Sequence, residues 1–180
     1  MEVAMNINRI RKYTDNDKSE VYDLYKRVAE IDGGIARTRN EITDEYINNM
    51  ISSSGKNGIH LVVDHPTNEN QLVGEIHCYK LGPSVFNHVL SELTMVVSED
   101  FQGKGIGKLL LKILLSTIET KRNDILRVEL IARESNTKAI ELYQQLGFKI
   151  EGKLENRIDS RNGTFEADIP MAWINKNFRS

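Results

Sequence analysis

Val96-Val97-Ser98-Glu99-Asp100-Phe101-Gln102-Gly103-Lys104-Gly105-Ile106-Gly107-Lys108 is the stretch on which the fold of this chain turns. It opens in an apolar, strand-like run and crosses a turn with glycines at three alternate positions. It then enters a segment that carries Leu110, Ile113, Leu114 and Ile118 at helical spacing. Glycine lets a ligand approach the backbone closely. A helix start adds unpaired amides and the positive end of the dipole. Together they make an anion site suited to a diphosphate, with Lys104 and Lys108 adding positive charge. A Gly-rich turn that merely starts a helix is the plain alternative at this stage. A dinucleotide fingerprint fails, because the position three residues after Gly105 is Lys108. A nucleotide-triphosphate loop fails too, because Lys108 precedes Leu109 rather than Ser or Thr.

Outward from this loop the pattern alternates strands and helices. Ile7 to Tyr13 reads as a strand, Asp17 to Ile31 as a helix broken by Gly33-Gly34, and Thr43 to Ser53 as a second helix with Thr43 as its cap. Three strand-like runs follow, Ile59 to Asp64, Gln71 to Lys80 and Val89 to Val97, with connections short enough for an antiparallel meander. After the helix from Gly105 to Thr120 come a buried strand, Leu126 to Ala132, and a helix, Asn136 to Leu146, stopped by Gly147. Lys149 to Leu154 and Phe165 to Ile174 read as closing strands around a turn near Arg161-Asn162-Gly163. The strand–helix–strand order between about residues 90 and 132 predicts a parallel crossover in an otherwise antiparallel sheet.

Composition sets outer bounds. The 180 residues fit a single domain, 1–180, and 39% hydrophobic with 28% charged residues is ordinary for a soluble globular chain. A net charge of -2 gives no basic excess for nucleic acid. The one cysteine, Cys78, excludes an internal disulfide and any multi-cysteine metal site. The apolar runs are too short for a membrane span and the first residues lack a signal-peptide core, so the expected compartment is the cytoplasm. His60, His65, His77 and His88 form no metal pattern, and no Gly-x-Ser-x-Gly elbow supports a serine hydrolase.

Gln102-Gly103-Lys104-Gly105-Ile106-Gly107 resembles the Gln/Arg-x-x-Gly-x-Gly/Ala signature of the GNAT acetyltransferases. The segment from Arg127 to Gly147, RVELIARESNTKAIELYQQLG, is similar to that superfamily's second conserved region, with Asn136, Tyr143, Leu146-Gly147-Phe148 and Glu151-Gly152 where its pattern expects them. The resemblance is strong over about residues 90 to 152. It implies an α/β fold of the GNAT acyltransferase type: a mixed, twisted sheet of about seven strands, helices on both faces, and splayed fourth and fifth strands that admit acyl-CoA. It implies acetyl-CoA as co-substrate and no metal.

The same resemblance assigns residues. Gln102, Gly103, Lys104, Gly105, Ile106, Gly107 and Lys108 would hold the pyrophosphate, and the backbone of Met95, Val96 and Val97 would pair with pantetheine. Asn136 would bond the pantetheine arm, although it also reads as a simple helix cap. Tyr143, which periodicity alone makes a core tyrosine, would protonate the departing thiolate and touch the cofactor. Glu92 would take the proton of the acceptor amine, with Glu129 as its rival and a solvated strand carboxylate as the plain reading. The expected reaction is direct transfer of acetyl to a primary amine of a small metabolite, with no nucleic acid or membrane partner and a homodimer left open. A protein N-acetyltransferase and a non-catalytic acyl-CoA sensor are the alternatives. The acceptor site would be shaped by the segments from Glu30 to Arg37 and from Glu155 to Gly163, whose mixed charges suit a zwitterion.

Overall fold

The computed structural model describes residues 9–31, 34–160 and 163–179. The chain packs into two compact units. One takes Met1–Tyr79 with Thr94–Leu115, the other Lys80–Leu93 with Ser116–Ser180. The elements in chain order are β1 (Ile10–Lys12), α1 (Lys18–Val28), α2 (Asp44–Asn57), β2 (Gly58–Asp64), β3 (Leu72–Tyr79), β4 (Val89–Val97), α3 (Ile106–Lys121), β5 (Arg127–Arg133), α4 (Thr137–Gln145), β6 (Lys149–Ile150), β7 (Leu154–Asp159) and β8 (Phe165–Ile174). Strand β4 gives its first half to the second unit and its second half to the first.

In the first unit β1 pairs antiparallel with β2, and β2 with β3. Helix α1 buries Val21, Leu24, Tyr25 and Val28, the i, i+3, i+4, i+7 stripe of an amphipathic helix. Helix α2 starts at Thr43, whose side chain accepts the Tyr46 amide at 3.1 Å. Residues of both helices share a core with Val62, Leu72 and Val96. Consecutive strand residues face opposite ways. Glu75 contacts Tyr25 of α1, whereas a Cβ on the adjacent Gly74 would lie 3.4 Å from Ile106 and Leu110 of α3. Helices therefore cover both faces of this unit.

Under α1 and α2 lies a polar cluster that sequence patterning does not single out. Tyr25 Oη donates to Glu75 Oε2 at 2.7 Å, and His77 Nδ1 lies 2.9 Å from Glu75 Oε1. His60 Nε2 is also 2.9 Å from Oε1 but off the angle of a hydrogen bond. The His60 ring stacks on Tyr13 at 4.3 Å, and Ser54 Oγ contacts its Nδ1 at 3.2 Å. Burial alone would raise the Glu75 carboxyl, but His77 and His60 outweigh it and bring it down to about 2.

The second unit is a mixed sheet. β4 runs parallel to β5 at only two positions, Val89↔Arg127 and Leu90↔Val128. β5 pairs antiparallel with β8 along its whole length. Val128, Leu130 and Ala132 of β5 are buried, while Arg127, Glu129, Ile131 and Arg133 alternate onto the other face. The short β4–β5 ladder matches the splay that the family resemblance implies.

Among the described residues there are eight strands, against the seven or so expected. The closing strand expected from Lys149 to Leu154 is interrupted: Lys149 and Ile150 pair with β8 as β6, and the next ladder pairing is Leu154 with Asp168. Leu154–Asp159 forms a separate β7, also antiparallel to β8. The register shifts between Leu154 and Ile158, where Asn156 adopts φ +54°, and this bulge interrupts what patterning reads as loop. Of the residues named from the sequence, Ile7, Gly33, Arg161 and Asn162 lie outside the described residues. Among those described, no helix is long and apolar enough to cross a membrane.

Glu75 sits below its unfolded value of about 4.5, so its contribution to stability is complete above that pH and is lost as pH falls toward 2. Glu75→Gln is expected to flatten that acid limb in pH-dependent urea unfolding. At pH 7 it should cost about 3 kcal/mol, the scale of a broken buried ion pair.

Candidate active site

The glycine turn belongs to the first unit. It leaves β4 through Ser98, whose amide donates to Val73 O at 2.9 Å, and passes a short 3-10 turn over Glu99–Phe101. Gln102 folds its side chain back, Nε2 donating to Val97 O at 3.0 Å. Gln102 therefore braces the loop and occupies the Val97 carbonyl. Gly103 and Gly105 have φ of +71° and +81°, the left-handed region open to glycine at little cost. A Cβ at either would meet nothing within 4 Å, so what bars a side chain here is backbone conformation and the space above is open. Helix α3 begins at Ile106, whose side chain is buried and seats the helix start. Gly107 and Lys108 lie in its first turn, where amides lack intrahelical acceptors. Lys104 and Lys108 are exposed, with Lys104 Nζ 4.9 Å from the Phe101 ring centroid. Met95 and Val97 are half-buried and Val96 is buried with the α1–α2 core.

The second unit holds Glu92, Glu129, Asn136 and Tyr143. Glu92 is exposed and carries φ +54° in the middle of β4, two residues beyond the last pairing with β5. Such a conformation is costly for a residue with a side chain and marks sites where geometry is imposed. Glu129 is engaged by Arg127, whose Nε donates to Glu129 Oε2 at 2.8 Å and whose terminal nitrogens reach Glu151 at 2.8 and 2.5 Å. Their i, i+2 spacing already placed Arg127 and Glu129 on one strand face, a signal that sequence reading left unused.

Asn136 is the N-cap of α4, its Oδ1 accepting the Ala139 amide at 3.2 Å. Its Nδ2 is chemically distinct from that contact, so capping does not consume the whole side chain. Tyr143 is half-buried near the C-terminal end of α4, and burial pushes its phenol up to about 12. It is therefore protonated throughout the neutral range, as a proton donor must be.

Of the histidines, His65 packs edge-on against Phe101 of the turn at 5.1 Å. Ser54, His60 and Glu75 stand in the order of a nucleophile–base–acid relay, but Ser54 Oγ donates to Met50 O at 2.8 Å and all three are buried. They brace a core. Among the described residues no group of histidine, cysteine and carboxylates could hold a metal ion.

The profile of the Acetyltransferase (GNAT) family matches residues 19–148. A spermidine N(1)-acetyltransferase of Escherichia coli is 33% identical over 87 residues, 47% of this chain and 46% of that protein. A ribosomal-protein-alanine N-acetyltransferase of Salmonella typhimurium is 41% identical over 63 residues, 33% of this chain and 41% of that one. The chain thus spans less than half the length of these curated relatives. An acetyltransferase of the GNAT family from Streptococcus pneumoniae superposes with a TM-score of 0.73 at 25% identity, covering 92% of this chain and 98% of that one. A phosphinothricin acetyltransferase from Sinorhizobium meliloti, solved in complex with AcCoA, shares the fold: TM-score 0.78, 14% identity, 94% and 89% covered.

Asn136→Ala should cost about 1 kcal/mol by stripping the α4 cap, and Asn136→Asp should keep most of that stability. Thermal unfolding of the two variants checks this.

Proposed function

The chain belongs to the acetyltransferase (GNAT) family, and on that premise we propose that it transfers acetyl from acetyl-CoA to a primary amine by direct attack. The observation that carries the reading is the pair of left-handed glycines, Gly103 and Gly105, opening unobstructed onto the start of α3. The turn supplies amides and a helix dipole where a diphosphate can sit, with Lys104 and Lys108 beside it. Met95, Val96 and Val97 would offer strand amides to pantetheine, and one near Met95 or Val96 would polarise the thioester carbonyl.

In this mechanism the acceptor ammonium passes a proton to Glu92, directly or through water. The free amine attacks the thioester carbon. The tetrahedral intermediate then collapses as the C–S bond breaks: the sulfur leaves with the Tyr143 phenolic proton, the nitrogen gives up its second proton to solvent as the amide forms, and the tyrosinate is reprotonated from solvent. No covalent enzyme intermediate is required, because holding two reactants in place already supplies a large rate factor. The acceptor is proposed to be a small amine. The spermidine acetyltransferase among the relatives supports that class, and the ribosomal-protein-alanine acetyltransferase supports a peptide amine as the competing reading. The cytosol, where acetyl-CoA and such amines meet, is the proposed compartment.

Calorimetry with acetyl-CoA in EDTA should give one site per chain, weakened at least tenfold by Gly105→Val, because φ +81° excludes a β-branched residue. Absent binding, or binding that needs a divalent metal, contradicts the reading. Glu92→Gln should lower kcat/KM by about 10²-fold, most steeply at low pH where the amine is charged. If Glu129→Gln has that effect instead, the base is misassigned. With polyamines, amino acids and short peptides offered at equal concentration, the small amines should lead by kcat/KM. Preference for peptides would replace the acceptor class alone.

A further inference from the structure

The end of α4 is closed in a way that bears on Tyr143. Gly147 turns the chain at φ +94°. Its amide donates to Gln144 O, and the Phe148 amide donates to Tyr143 O, both at 3.0 Å. This double closure returns the residue after the glycine to the residue five positions earlier and brings their side chains into contact. Phe148 and Tyr143 are those two residues. Their ring centroids are 5.8 Å apart with planes tilted 55°, inside the range of attractive aromatic pairs. Phe148 is 3% exposed, whereas Tyr143 is half-buried. A Cβ on Gly147 would lie 3.4 Å from Trp173 Cδ1, so the closure itself is backed by a buried indole.

Among the described residues none hydrogen-bonds the Tyr143 hydroxyl, and desolvation is the one cause acting on its titration. The phenol is therefore aimed by packing and by the backbone of the helix end. Both run through Phe148, which bonds the Tyr143 carbonyl and covers its ring.

We propose that Phe148 is a positioning residue for the Tyr143 phenol, fixing the direction in which the hydroxyl presents its proton. This rests on the general-acid reading of Tyr143. A core phenylalanine with no such role would cost stability when truncated but would not single out the proton-transfer step.

The test is a double-mutant cycle of Phe148→Leu with Tyr143→Phe, read by kcat, by the Kd for acetyl-CoA, and by NMR titration of tyrosine labelled at Cζ. Phe148→Leu should lower kcat about tenfold, a modest fraction of what a misaligned group can cost, with the Kd within about twofold of wild type. In the Tyr143→Phe background it should cause no further fall. The Tyr143 midpoint should move from about 12 toward 10 as its cover is lost. Phe148→Met, closer in volume, is read the same way if the leucine variant does not fold. Unchanged kcat in a folded variant, or an equal fall in both backgrounds, overturns the positioning role. If Tyr143→Phe retains full turnover, the general-acid reading falls and the positioning role with it. If Tyr143→Phe is slow and Phe148→Leu is not, only the positioning role fails.

Discussion

Strands β4 and β5 pair in parallel at Val89↔Arg127 and Leu90↔Val128 and then stop, although each runs on for several residues. Backbone amides and carbonyls cannot be left without partners at little cost, so a ladder that ends early must be compensated. Two residues past the last pair, Glu92 takes φ +54° and turns an exposed carboxylate out of the strand. Along β5 the complementary adjustment is electrostatic. Arg127 binds Glu129 and Glu151 together.

The two units solve different problems. The first presents the turn proposed to hold a diphosphate, and its requirements are conformational: two left-handed glycines, a glutamine brace to Val97 and a helix start seated by Ile106. Under α1 and α2, Glu75 ties β3 to α1 through Tyr25 and lies 2.9 Å from His60 Nε2 of β2. The second unit presents Tyr143, the proposed proton donor, and its requirements are those of helix ends. Asn136 closes the start of α4, and Gly147 with Phe148 closes its end around Tyr143. In both units the side chains assigned to chemistry sit on element termini or strand irregularities. These are the places where regular structure leaves groups available.

Much of this was legible in the sequence, for identifiable reasons. β4 was readable to the residue, because an apolar β-branched run with sharp polar borders has few alternatives. The caps at Thr43, Asn136 and Gly147 were readable because each residue type has a specific job there. The division of the strand before β8 into β6 and β7, and the bulge within β7 at Asn156, were not, because both depend on register against β8 and leave no periodic trace. Nor was the Glu75 cluster, since His60 and Glu75 meet only when β2 and β3 pair and their side chains are many residues apart in sequence. Within the candidate site, residue types and spacing pointed to the loop, whereas Tyr143 was singled out only by the family resemblance. The left-handed backbone of Glu92, the Gln102 brace and the Arg127 clamp are consequences of tertiary geometry.

The central claim is that these parts carry an acetyl group from acetyl-CoA to an amine without passing it through the protein. It is tested most directly by incubating the protein with acetyl-CoA labelled with carbon-13 in the acetyl carbonyl, together with a mixture of primary amines, and following the label by NMR. The account predicts a labelled amide on an amine, appearing in step with an equal amount of free CoA, while the protein stays unlabelled. Label retained on the protein, or thioester consumed to free acetate with no amide formed, would contradict it.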